Sequence, residues 1–175
     1  AGRPTHVLEQ SAEPPTGAFT FAGAKRHAVH TGSFSHSDPS RRLTALLDTF
    51  ALARALNPQL NLHLAGRLTD AEQSELDSSP LRTNITDHGI QDAESVRNLH
   101  AGADIGVVVA ADQSPAIPGK LFEYAAADLP VAIIGGTGWP EDFGWDERDP
   151  AKVLAGEQPA LTLPAPPTST YTRLN

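Results

Sequence analysis

The sequence predicts an α/β protein, a single Rossmann-like domain with a doubly wound parallel sheet and helices on both faces. Three observations lead there. Strand-like and helix-like stretches alternate over residues 27–136. Two apolar runs, residues 105–110 and 131–134, contain no polar residue, as expected of strands covered on both faces. The stretch between them, residues 119–127, is rich in helix formers and reads as the crossover that parallel strands require. A chain of 175 residues suits one such domain.

Taken in order, residues 1–23 hold Gly2, Pro4, Pro14, Pro15 and Gly17 and read as a linker that closes in an edge strand at 19–22. The folded domain is expected over 24–157. Residues 27–31 form a strand closed by Gly32. Asp38-Pro39 then supplies a cap and a proline at the first helical position, and Leu43, Leu46, Leu47, Phe50 and Ala53 make one stripe. Leu60–Ala65 alternates like a strand and ends at Gly66. Thr69 with Glu72 three residues on is a capping box, opening a short polar helix that reaches Leu76 and is broken by Pro80. Residues 84–87 form a weak strand stopped by Gly89, and Asp92 caps a helix with Val96, Leu99 and Ala103 on one face. Residues 158–175 carry Pro159, Pro164, Pro166 and Pro167 and read as an extended tail with little to bury.

Composition removes several function classes. Thirteen Lys and Arg against 21 Asp and Glu leave a net charge of −8, which provides no basic face for nucleic acid. With no cysteine there are no disulfides and no thiolate metal sites. His27 and His30 fall on opposite faces of a strand with no third ligand indicated, so no metal is expected. The longest apolar run, residues 105–111, is far shorter than a transmembrane segment. No secretory leader pattern opens the chain, and a cytoplasmic location is expected. The chain starts at Ala1 and lacks methionine throughout, so either an initiator was removed or this is part of a longer protein.

The chemistry concentrates in residues 117–124, where Pro118, Gly119, Lys120, Glu123 and Tyr124 stand between the two apolar strands. A helix beginning near Pro118-Gly119 directs free N–H groups at the end of the sheet, and Lys120 adds charge there. Glu123, three residues on, shares the helix face and can accept hydrogen bonds from a diol. A diphosphate beside a ribose matches that pair, and a solvated Lys–Glu pair matches the spacing equally well.

Together with residues 103–109 and 130–135, this stretch resembles the carboxy-terminal, nucleotide-sugar-binding half of the GT-B glycosyltransferases. The similarity is to retaining members with a Pro-x-Lys-x-x-Glu-Tyr segment. It covers residues 27–136, about two-thirds of the chain. The resemblance implies a nucleoside diphosphate sugar as substrate, with no cofactor and no metal. It implies Gly119 and Lys120 at the diphosphate and Glu123 at the ribose. Gly32 matches the family's glycine loop, but Ser33 stands where the first of two basic residues is usual. Arg41 or Arg42 matches the second if the loop differs by about two residues; otherwise both lie in an exposed first helical turn, against the dipole. Arg67, after Gly66, is a further phosphate candidate. Gly89 and Ile90 occupy the loop that holds the nucleobase.

A second carboxylate, usual eight residues before the glutamate, is replaced by Pro115, with Asp112, Gln113 and Ser114 close enough to substitute; Ser114 is counted with the donor-binding residues. Residues 135–138 read as a turn near the crevice, and Trp139, Phe143 and Trp145 as a cluster on this domain or a face toward a partner domain. The resemblance also implies an amino-terminal acceptor domain absent from this chain, through which membrane association could arise, and a chain that binds nucleotide without turnover. Its catalytic residues are not identified. The alternatives are a nucleotide-sugar epimerase or phosphorylase of the same fold, or a non-catalytic flavodoxin-like module.

Overall fold

The structure is a computed structural model that describes residues 13–23, 26–111, 118–135 and 148–163. Along β4 (Ile105–Val109) and β5 (Val131–Ile134) the side chains alternate between two separate apolar cores. Ile105, Val107, Val109, Ala132 and Ile134 enter one, and Val108, Val131 and Ile133 enter the other. The unbroken apolar runs thus correspond to strands buried on both sides. β1 (Arg26–Thr31), β2 (Leu60–Ala65) and β3 (Ile85–Asp87) complete a parallel sheet of order β3-β2-β1-β4-β5.

The first core is closed by α1 (Leu43–Leu56), α2 (Asp70–Ser78) and α5 (Pro150–Ala155), and the second by α3 (Ala93–Gly102) and α4 (Lys120–Ala126). The predicted α1 stripe is buried in full. Its start differs from the expectation. Helix α1 begins at Leu43, because the Asp38 carboxylate accepts from the Ser40 amide (2.9 Å) and hydroxyl (2.6 Å), a local turn that competes with helix initiation. The α2 capping box and the Asp92 cap of α3 form as expected. Helix α5 is not among the elements expected from the sequence, although Asp149-Pro150 carries a cap and a proline at the first turn, with Asp149 accepting from the Ala151 amide at 2.9 Å.

Two further expectations change. Residues 19–22 form no strand: the Gly17 and Phe19 amides donate to Asn98 on α3 (2.9 and 2.8 Å), and Phe21 packs at the second core. The start of the proline-rich tail does bury something, since Leu161 enters that core and makes an antiparallel bridge to Val131.

Strand order reverses between β1 and β4, and this positions the site. β1 pairs with β2 from Arg26↔Leu60 to Thr31↔Ala65, but with β4 only at Ala28↔Ile105 and Val29↔Gly106. Beyond Val29 the two strands part, opening a crevice at their carboxyl ends, the place where doubly wound sheets receive ligands.

Candidate functional site

Parting the strands leaves backbone groups in need of partners. The Tyr124 hydroxyl lies 3.2 Å from the Val107 carbonyl and 3.4 Å from both the Val29 carbonyl and the Thr31 amide, and His30 Nδ1 lies 2.9 Å from the Val107 carbonyl. Tyr124 is wholly buried, which pushes its phenol above the usual range and keeps it neutral. It reaches the gap because Gly106 has no side chain: a Cβ there meets the Tyr124 ring at 2.8 Å.

Above this floor lies a cavity of about 210 Å³, lined among others by His30, Gly32, Ser33, Arg41, Gly119 and Lys120. Lys120 crosses directly over Gly32, whose φ is +104°; a Cβ on Gly32 comes within 2.8 Å of the ammonium nitrogen. That nitrogen is 3.3 Å from the Thr31 hydroxyl, which also contacts His100 Nε2 at 3.0 Å. Burial lowers the Lys120 pKa from its ordinary value; Glu123 opposes the shift and Arg41 adds to it. The Lys120–Glu123 separation is 4.0 Å, a loose pair, and Arg41 Nε has no hydrogen-bond partner among the described residues. Among the described residues, two cations therefore face the crevice with one half-exposed carboxylate beside them.

The loop carrying Gly32 is held from below. Glu72, the capping-box carboxylate of α2, accepts from the Ser35 amide (3.1 Å) and hydroxyl (2.6 Å) and from the Thr69 amide (2.8 Å). Burial raises its pKa, but these hydrogen bonds outweigh it, leaving a net downward shift. Gly32, Gly66 and Gly89 line up across the strand ends, with the Gly32 amide donating to Ala65 O (2.7 Å) and the Gly66 amide to Gly89 O (2.9 Å). A side chain on Gly66 runs into the Gly32 carbonyl.

The structure thus brings Gly32, Ser33, Arg41, Gly119 and Lys120 to one cavity, with Glu123 at its edge. Arg42 is exposed at the start of α1 and does not line the cavity, nor does the exposed Arg67. Gly89 follows β3 at φ +64°, and Ile90 is 71% exposed. Ser114 lies outside the described residues, as do Asp112, Gln113, Pro115, residues 136–138 and the aromatic residues Trp139, Phe143 and Trp145.

From the sequence, His27 and His30 are only a pair on opposite strand faces that holds no metal, and His63 and His88 have no assigned role. His30 lines the cavity. On the opposite face of the sheet, His27, His63 and His88 form a row with successive nitrogen contacts of 3.1 Å, and Phe21 stacks on His27 at 4.7 Å. Burial lowers the His63 pKa to about 4, with repulsion from His88 and His27 contributing. The ring nitrogens face one another in hydrogen bonds, and no metal-binding group of His, Asp or Glu occurs among the described residues. Adjacent parallel strands in register place His27 beside Asn61 and His63 beside Thr86, so the row arises from diagonal neighbours that no linear spacing reveals. No helix among the described residues is long and apolar enough to cross a membrane.

No protein-family model and no curated protein matches the chain. Solved structures do. The carboxy-terminal domain of the group 1 glycosyl transferase LpcC from Francisella tularensis is 16% identical, with a TM-score of 0.57 over 87% of this chain and 85% of that one. The pneumococcal O-GlcNAc transferase GtfA, solved with UDP and GlcNAc, is 13% identical, with a TM-score of 0.56 over 84% of this chain and 30% of that one. TarM is 14% identical, with a TM-score of 0.56 over 86% and 31%. The chain therefore spans under a third of GtfA and TarM but nearly the whole LpcC domain. It has the Rossmann-like α/β fold found in the carboxy-terminal domain of GT-B glycosyltransferases.

Proposed function

We propose that this chain is the donor-binding domain of a retaining glycosyltransferase that moves a sugar from a nucleoside diphosphate to an acceptor held by a second domain. The observation that carries the reading is Lys120 lying over Gly32 at the point where β1 and β4 part, with Arg41 on the same cavity. A cavity of about 210 Å³ suits a diphosphate better than a whole nucleotide sugar, because drug-sized ligands occupy roughly 300–1,000 Å³. The remainder of the ligand then lies along the strand ends toward Gly89 and Ile90, and Glu123 takes the ribose diol. During transfer, Lys120 and Arg41 stabilise the charge that develops on the departing diphosphate, a contribution that grows as the glycosidic bond breaks. The reading invokes no metal and no cofactor.

The acceptor and the groups that assist bond cleavage are assigned to the second domain, so the 175-residue chain binds nucleotide and does not turn over. Calorimetry with UDP and GDP tests this. Saturable binding is expected, and Lys120→Ala should weaken it by about 1.5–3 kcal/mol, the range of a charge-assisted hydrogen bond. An unchanged dissociation constant removes Lys120 from the site. Sugar transfer by this chain alone refutes the division of labour.

A further inference from the structure

His30 is 4% exposed and lies flat against Phe34, with ring centroids 4.4 Å apart and planes at 15°. Its Nδ1 faces the Val107 carbonyl, which can only accept, so Nδ1 carries the proton in the neutral ring and Nε2 presents a lone pair. That Nε2 is buried and has no hydrogen-bond partner among the described residues, on a ring that lines the same cavity as Lys120 and Arg41. A bare acceptor beside two cations is a poor match for an anion and becomes a good one on gaining a proton.

We propose that His30 is the proton-linked member of this anion site: when a diphosphate enters, Nε2 takes a proton from solvent and the imidazolium donates to a phosphate oxygen. The proposal rests on the donor-binding reading given above. No covalent bond is made or broken; one proton moves from water to Nε2. The surroundings explain the direction. Burial holds the His30 pKa down to about 4; the hydrogen bond to Val107 opposes the shift, and Lys120 from α4 and Arg41 from the loop before α1 add to it. Strand β4 offers His30 only a carbonyl, and the glycine loop offers Phe34, Ser33 and Ser37, none of them charged. Among the described residues no anion faces His30, and the ligand supplies one. Its charge offsets both cations and favours the imidazolium. A pKa raised in the complex means that the complex binds more protons than its parts, so affinity falls as pH rises.

The test uses the 175-residue chain with UDP-glucose and GDP-mannose, whose diphosphates are esterified at both ends and do not titrate near neutrality. Histidine NMR spectra are recorded against pH, with the His30 signal assigned by its loss in His30→Asn, a variant that keeps an amide donor for Val107. Without ligand, His30 stays neutral down to about pH 4. With saturating ligand its midpoint is expected near pH 6, which corresponds to about a fourfold loss of affinity between pH 5.5 and 7.5. Calorimetry in two buffers of different ionisation enthalpy should show proton uptake that His30→Asn abolishes. Binding that shifts the Lys120 signals while the His30 midpoint stays put overturns this proposal and leaves the donor-binding reading intact. The absence of any binding overturns both. If His30→Asn does not fold, the His30 signal is assigned instead by through-bond triple-resonance spectra of the unaltered chain, and its midpoint with and without ligand decides the matter.

Discussion

Replacing Gly106 with alanine tests whether the floor of the crevice is as tightly fitted as its geometry indicates. The new Cβ sits 2.8, 2.9 and 3.0 Å from Cδ2, Cε2 and Cγ of Tyr124. Carbon atoms rest at roughly 3.5–4.0 Å, so the ring has to withdraw by about 0.7 Å or the strand has to shift. Tyr124 has no free space into which to move: it is wholly buried and meets His100 edge-on at 4.7 Å. Its hydroxyl contacts at 3.2 and 3.4 Å are already long, and withdrawal breaks them, leaving the Thr31 amide without its acceptor. Overpacking costs about 1–3 kcal/mol and the orphaned buried donor about 1–3 more, so a loss of about 2–6 kcal/mol is expected. That is a large part of the roughly 5–15 kcal/mol that holds a domain folded, and it corresponds to about 4–24 °C in melting temperature for a domain of this size. Urea unfolding with an unchanged slope, together with scanning calorimetry, measures it. A loss under about 0.5 kcal/mol, the range of an ordinary surface change, refutes the account of how Gly106 and Tyr124 fit together.

The other predictions concern the loops and the response to acid. Gly32→Ala adds a Cβ at φ +104° and displaces Lys120, so it should cost about 1–3 kcal/mol of stability and weaken diphosphate binding. Gly89→Ala, at φ +64° with nothing within 4 Å of the new Cβ, should cost only about 1 kcal/mol and leave the Lys120 contact intact; equal effects of the two on inorganic pyrophosphate binding contradict the arrangement. Glu123→Gln should weaken UDP binding while leaving inorganic pyrophosphate nearly unaffected, and equal losses in calorimetry remove Glu123 from the ribose. Finally, His30 and His100 are held neutral in the folded state, mainly by burial, with pKa values of about 4 and about 3 against 6.5 ordinarily. Between these limits the unfolded chain binds more protons, so stability is full above pH 6.5 and falls with acid by about 1.4 kcal/mol per pH unit for each histidine. Urea midpoints that stay flat from pH 7 to 5 argue against their neutral burial.

Much of the fold is legible in the sequence because its determinants are local. The strands Leu60–Ala65 and Val131–Ile134 match the expected bounds, since alternation and unbroken apolar runs report directly how many faces of a strand are covered. The caps at Thr69 and Asp92 are equally readable, because each satisfies an amide three residues away. Within the candidate site, Gly119, Lys120 and Glu123 stand out through their place in one short stretch.

The tertiary structure decided what depends on partners distant in sequence. Asp38-Pro39 carries a helix-start signal, yet its carboxylate closes a turn and the helix begins at Leu43. Arg41 and Arg42 precede α1 and Arg67 follows β2; their charge is alike, and only the path of each loop turns Arg41 into the cavity and leaves the other two exposed. His30 is one residue in a short strand until β4, 77 positions later, brings the Val107 carbonyl to Nδ1 and leaves Nε2 buried without a hydrogen-bond partner among the described residues, on a ring that lines the cavity. Tyr124 reads as part of a helix, and the parting of β1 from β4 makes its hydroxyl the partner of Thr31, 93 positions away. Local patterns determine which residues become strand or helix; the reversal of strand order determines which of their polar atoms meet around an opening, because that opening exists only where two strands far apart in sequence lie side by side and then separate.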